Sequence, residues 1–153
     1  MKTVCLYASL LILSTVSTPN HAQQTELLVR NALVAEAPPN SRVAAAYFEI
    51  HNPSTQAITL LKIVSPQFEG SEIHETVLNN GMARMKSIPH LRLKPNQRTV
   101  FQPGGLHLML MNPRAPLKAG DIVLLNFHCS NGKVINVTTQ VRRLEDTGHH
   151  HHH

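Results

Sequence analysis

Tryptophan is absent from the chain, and the other large aromatics are scarce, with two tyrosines and four phenylalanines in 153 residues. A nucleic-acid interface would interleave such rings with clustered basic residues. Here Arg30, Arg42, Lys62, Arg84, Lys86, Arg92, Lys94 and Arg98 are scattered among apolar positions and form no run. The formal net charge of +5, one unit of it from Lys2, is therefore a solvated surface and not a nucleic-acid footprint. Cysteine is nearly missing: Cys5 and Cys129 are the only two. Cys5 lies in an N-terminal leader, so Cys129 has no partner for an internal disulfide or a Cys-x-x-Cys redox pair. It reads as a small buried hydrophobe at a strand end. No segment keeps a 3.6-residue apolar period for three turns, and none is long enough to span a bilayer in the mature protein. These absences exclude a coiled coil, a membrane-spanning mature domain and a disordered chain.

Both ends of the chain read as processing or handling segments. Residues 1–22 have Lys2, an apolar run from Val4 to Val16, the polar Ser17-Thr18-Pro19-Asn20 and the small Ala22. That is the layout of a secretory signal peptide and predicts export to the periplasm. Residues 144–153, ending in His149–His153, read as vector-derived sequence and an affinity tag. The remaining span, 23–143, is enough for one domain and too short for two.

That span reads as short strands joined by turns. Period-two alternation predicts strands over Glu26–Leu33, Val43–His51, Ala57–Ser65, Ser71–Asn79, Met82–Ile88, Gln97–Gln102, Leu106–Met111, Asp121–Cys129 and Lys133–Arg143. Between them lie Pro-, Gly- and Asn-rich breakers, among them Asn80-Gly81, Pro103-Gly104-Gly105, Asn112-Pro113 and Asn131-Gly132. Short, evenly spaced strands predict an all-β antiparallel sandwich or barrel, and the Pro-containing link from Asn112 to Gly120 predicts a Greek-key crossover.

Two hairpin registers follow from turn chemistry. A three-residue loop at Ser130-Asn131-Gly132 sets Phe127 opposite Ile135 and Leu125 opposite Val137. A two-residue loop at Asn80-Gly81 sets Glu75 opposite Lys86 and Ile73 opposite Ile88, one opposite-charge pair and one apolar pair. A three-residue loop there would oppose Glu75 to Met85 and gain nothing. In the preferred register Met85 sits opposite Thr76 with His74 as its diagonal neighbour, about 7 Å away on the same face. A slip of one residue would put the two on opposite faces.

Methionine and histidine carry the chemistry. Met82, Met85, Met109 and Met111, all the methionines beyond the leader, fall between positions 82 and 111. In Leu106-His107-Leu108-Met109-Leu110-Met111 the leucines take one strand face, and His107, Met109 and Met111 take the other. Leucines inward with imidazole and thioethers outward suits a metal better than packing. Thioether sulfur is soft and neutral, and with imidazole it selects Cu(I) over Zn²⁺, Mg²⁺ or Ca²⁺. No carboxylate sits at a matching spacing. In an oxidising compartment methionine needs no deprotonation and forms no disulfide. Uncharged, exchangeable ligands suit transfer of the ion rather than permanent storage. Met82 and Met111 read as a hydrophobic rim beside the site that can serve as an alternative ligand or docking contact.

His74, Met85, His107 and Met109 reproduce the spacing H-x10-M-x21-H-x-M. In this the chain resembles the periplasmic copper chaperones of the PCu(A)C family, which serve the dinuclear copper centre of cytochrome c oxidase. The likeness extends to Ala46-Tyr47-Phe48-Glu49-Ile50 with Asn52, to Glu72-Ile73-His74-Glu75-Thr76, to Pro103-Gly104-Gly105-Leu106, and to Pro116-Leu117 with Gly120-Asp121. The resemblance implies a cupredoxin-like Greek-key β-sandwich holding one Cu(I) through His74, Met85, His107 and Met109. It further implies a monomer that delivers the ion to the copper-receiving domain of cytochrome c oxidase subunit II and exchanges it with other copper chaperones.

Other classes find no support in the residues. A blue-copper carrier needs a Cys ligand with His and Met shortly after it, and neither follows Cys129 before the tag. No His-x-His outside the tag serves a copper–zinc dismutase, and neither Gly-x-Ser-x-Gly nor His-Glu-x-x-His occurs. No enzyme is expected. Two readings remain beside the chaperone: a copper-scavenging or storage protein, and a metal-independent sandwich module with a Met-rich partner patch.

Overall fold

The computed structural model describes residues 26–144. The predicted leader at 1–22 and, apart from Leu144, the predicted vector-derived segment and tag at 144–153 lie outside the described residues. Ten strands follow one another: β1 (Leu28–Ala35), β2 (Val43–His51), β3 (Ile58–Val64), β4 (Phe68–Asn79), β5 (Met82–Ile88), β6 (Leu91–Leu93), β7 (Arg98–Phe101), β8 (Leu106–Pro113), β9 (Ile122–Cys129) and β10 (Val134–Arg142). They hydrogen-bond in the order β5-β4-β8-β7-β2-β1-β10-β9-β3-β6, with β8 also pairing β2. The pairs β1–β10 and β7–β8 are parallel and the rest antiparallel.

This continuous ladder folds over on itself. β2 and β9 are three steps apart, about 14 Å in a flat sheet. Yet the Phe48 ring of β2 meets the Phe127 ring of β9 edge-on at 5.1 Å, and stacks on Phe101 of β7 at 4.1 Å. Each such ring pair contributes about 1 kcal/mol beyond its buried area. Around these rings pack Ile50, Leu60, Ile63, Leu93, Leu108, Leu110, Val123 and Leu125, all essentially without exposure. The scarce phenylalanines are thus concentrated in the centre of the sandwich.

Most predicted strands and both hairpin registers hold. Phe127 pairs with Ile135 and Leu125 with Val137. Glu75 pairs with Lys86, Ile73 with Ile88 and Thr76 with Met85. Asn80 (φ 51°) and Gly81 (φ 76°) are both left-handed, as a two-residue type I′ loop requires. The chain crosses between β8 and β9 without pairing them, as expected of the Asn112–Gly120 link.

Three differences have local causes. β6 went unpredicted because three residues are too few to establish alternation; it pairs with Ile58–Leu60, and Leu93 is fully buried. β1 continues past Leu33 because left-handed Asn31 (φ 54°) forms a bulge that breaks the period of two. Asn31 Nδ2 donates to Glu49 Oε1 at 3.0 Å across that bulge. β4 begins earlier, at Phe68, because Gly70 is a strand residue and not a breaker: a Cβ there would lie 3.2 Å from the Met111 methyl.

Candidate metal centre

β8 is central to the geometry, lying between β4 on one side and β7 and β2 on the other. Its alternation sends Leu108 and Leu110 into the core, both with no exposure, and His107, Met109 and Met111 to the opposite face. Against β4, His107 pairs with His74 and Met109 with Glu72. Against β5, β4 pairs Thr76 with Met85 and His74 with Ser87. Directly paired residues share a face, so His74, Met85, His107 and Met109 all project from one side of three adjacent strands. The two imidazole rings stand 5.9 Å apart, centre to centre, tilted by 56°.

That side is not as open as the sequence suggested. His107 is only 7% exposed and Met109 is half-buried. Together with Met85, Tyr47 and Thr76 they line a cleft of about 400 Å³, whose wall includes Pro38 from the β1–β2 link and Pro103-Gly104 from the turn before β8. Met85 differs from the rest, at 63% exposed. β8 pairs with β4 as far as Glu75 and the Thr76 N–H still donates to the Gly105 carbonyl; beyond that β4 and β5 continue as a two-stranded ribbon with Met85, the partner of Thr76, at its base.

Each histidine has one ring nitrogen engaged and one available. His107 Nδ1 lies 3.1 Å from the Gly105 carbonyl, which accepts its proton. His74 Nε2 lies 2.7 Å from Glu72 Oε2. The other nitrogen of His74, Nδ1, is buried and has no hydrogen-bond partner. An orphaned buried acceptor is costly unless something fills its lone pair. Among the described residues no three of His, Cys, Asp and Glu are grouped to hold a metal ion, so a centre here must draw on thioethers.

Several expectations are revised. A carboxylate is present after all: Glu72, two residues before His74 on the same strand face, lies against an imidazole. Period-two spacing alone could have found it. Tyr47 was also missed as a cleft residue; burial pushes its hydroxyl up from the ordinary tyrosine value. Met82 pairs with Asn79 near the ribbon tip, on the face opposite Met85, and is not part of the rim. Arg84 and Lys86 share that opposite face. Met111 pairs with Gly70 and Val43, and its methyl group lies over Gly70 as packing.

A folded-over β-sheet with two imidazoles and two thioethers on one face of three neighbouring strands defines a class, the cupredoxin-like domains of PCuAC type. The chain belongs to the LpqE-like family, named for a lipoprotein, whose model matches residues 27–141. It is 31% identical over 97 residues to an uncharacterized protein of Rickettsia prowazekii, covering 61% of this chain. The chain spans 54% and 62% of the lengths of the curated relatives it matches. Among solved structures it is similar to the Cu(I) form of DR1885 from Deinococcus radiodurans, at 30% identity and TM-score 0.66, covering 82% of this chain and 83% of that one. It also shares the fold of the copper-bound PCuAC domain of PmoF2, at 14% identity and TM-score 0.66, covering 81% and 97%.

Proposed function

We propose that this protein is an exported, periplasmic Cu(I) chaperone. It holds one ion between His74, Met85, His107 and Met109 and delivers it to the copper-receiving domain of cytochrome c oxidase subunit II. The observation that carries this reading is the buried, unpartnered Nδ1 of His74 on the face it shares with His107 and the two thioethers. Two imidazoles bound to one ion at about 2 Å bring their ring centres to about 5–6 Å. The 5.9 Å spacing of His74 and His107 fits that requirement. Two thioethers added to the pair make a soft, uncharged donor set, suited to Cu(I) and to release by ligand exchange. Further support comes from the copper-loaded state of the Deinococcus radiodurans relative. The lipoprotein name of the family and the signal-peptide layout of residues 1–22 support export.

The test is a Cu(I) competition titration on tag-free protein, because consecutive histidines bind copper by themselves. One tight site is expected, strongly weakened in both His107→Ala and Met109→Leu with the fold retained by circular dichroism. Unchanged affinity in both variants would defeat the assignment. Mixing the loaded protein with an apo oxidase copper domain then separates delivery from storage: transfer of the metal supports the chaperone, and retention favours a scavenger.

A further inference from the structure

The two histidines are held by different neighbours, and the difference decides which nitrogen each one offers. A carbonyl oxygen only accepts, so the His107 ring carries its proton on Nδ1, toward Gly105, and leaves Nε2 bare. A carboxylate also only accepts, so the His74 ring carries its proton on Nε2, toward Glu72, and leaves Nδ1 bare. The second bare nitrogen is the one that is buried without a partner.

We infer that Glu72 is a positioning residue that fixes His74 in its Nε2-protonated tautomer, so that His74 presents Nδ1 and His107 presents Nε2 to a shared ion. This rests on the Cu(I) reading above. Glu72 precedes His74 by two residues on β4, on the same face, and pairs with Met109 across β8. Its place is therefore set by the pleat and not by a mobile loop. Its side chain is half exposed, whereas that of His74 is 15% exposed, so the carboxylate approaches the ring from the solvent side and leaves Nδ1 buried. With Glu72 removed, water replaces the carboxylate, and water both donates and accepts. Neither tautomer is then selected, and a half-turn of the ring can exchange its two nitrogens. Second-sphere carboxylates that orient metal-binding imidazoles act in this way, and their loss costs about 10–100-fold in metal affinity.

The test reads the apo protein first. Long-range proton–nitrogen correlation NMR on tag-free, ¹⁵N-labelled protein is expected to show His74 protonated at Nε2 in the wild type and a mixture of tautomers in Glu72→Gln, whose amide donates as well as accepts. Glu72→Ala is expected to show a mixture of tautomers. Cu(I) competition is then expected to weaken by at least about tenfold in both variants. An Nδ1-protonated His74 in the wild-type apo protein overturns the inference. So does a Glu72→Ala variant with unchanged tautomer and unchanged affinity. A wild-type protein that binds no Cu(I) overturns the copper reading instead, and the apo tautomer still decides whether Glu72 sets the ring.

Discussion

At the scale of single residues, alternation along one strand accounts for most of what was legible. His107 and Met109 could be placed on one face, and Leu108 and Leu110 on the other, because a period of two admits no other arrangement. Glu72 obeys the same rule but went unnoticed, since its partner is a histidine nitrogen and not a metal. Cys129 illustrates what sequence supports only by composition and structure makes specific. It is buried at the end of β9, and burial, with the nearby negative charge of Glu26, pushes its thiol above the ordinary value of 9.0. The thiolate is the reactive form, so the folded protein should keep this cysteine inert. Iodoacetamide at pH 8 is expected to leave Cys129 unmodified in the native state and to alkylate it fully in urea, as read by intact mass. Rapid, complete labelling of the folded protein would place the thiol at the surface.

At the scale of elements, the Asn80-Gly81 turn together with the Glu75–Lys86 and Ile73–Ile88 pairs settles the β4–β5 register, and with it the face that Met85 shares with His74. What it could not give is how far that ribbon extends beyond its neighbour. The extent depends on where β8 starts, and that is set by the Pro103-Gly104-Gly105 turn, where Gly104 is left-handed (φ 76°) and the Gly105 carbonyl accepts from Thr76 N–H. β6 and the bulge in β1 escaped for a related reason: one is too short, and the other breaks the alternation that reveals strands. The ribbon makes the four proposed donors unequal. Three lie within the packed sheet and one, Met85, stands exposed at the base of the arm. Ligand exchange with an incoming partner is therefore expected to begin at Met85. Met85→Leu should leave stability within about 0.5 kcal/mol of wild type, as for an exposed position. It should weaken Cu(I) binding by on the order of tenfold, about 1.4 kcal/mol. Met109→Leu should weaken it more. Stopped-flow transfer to a chelator should be faster from the Met85 variant. Equal losses from the two methionine variants would mean that the arm is as fixed as the sheet.

At the scale of the whole molecule, the cleft has a wall that no local pattern announces. The β1–β2 link carries Glu36 and Pro38 past the site, and Glu36 ties that link to two segments distant in sequence. Its carboxylate accepts from the Ala119 N–H at 3.0 Å and from Arg143 Nε at 3.0 Å, while its own N–H donates to the Arg142 carbonyl. The crossover after β8 and the end of β10 are thereby held against the start of the link. Hydrogen bonding from Ala119, followed by that from Arg143, holds the Glu36 carboxyl below its ordinary value of 4.5. Because the folded value is the lower one, the tie contributes its full stabilisation above about pH 4.5. That contribution is lost as the pH falls through the folded value. Glu36→Gln removes the charge and keeps the size. The variant is expected to be less stable than wild type in urea at pH 7, and the two unfolding curves should draw together as the pH is lowered below 4. The pair with Arg143 is largely solvent-exposed, so added salt should narrow the gap at pH 7 as well. A gap that stays constant from pH 7 to pH 3 would show that the carboxylate charge plays no part, and would leave the link held by its backbone bonds, from Glu36 N–H to the Arg142 carbonyl and from Asn112 N–H to the Arg42 carbonyl.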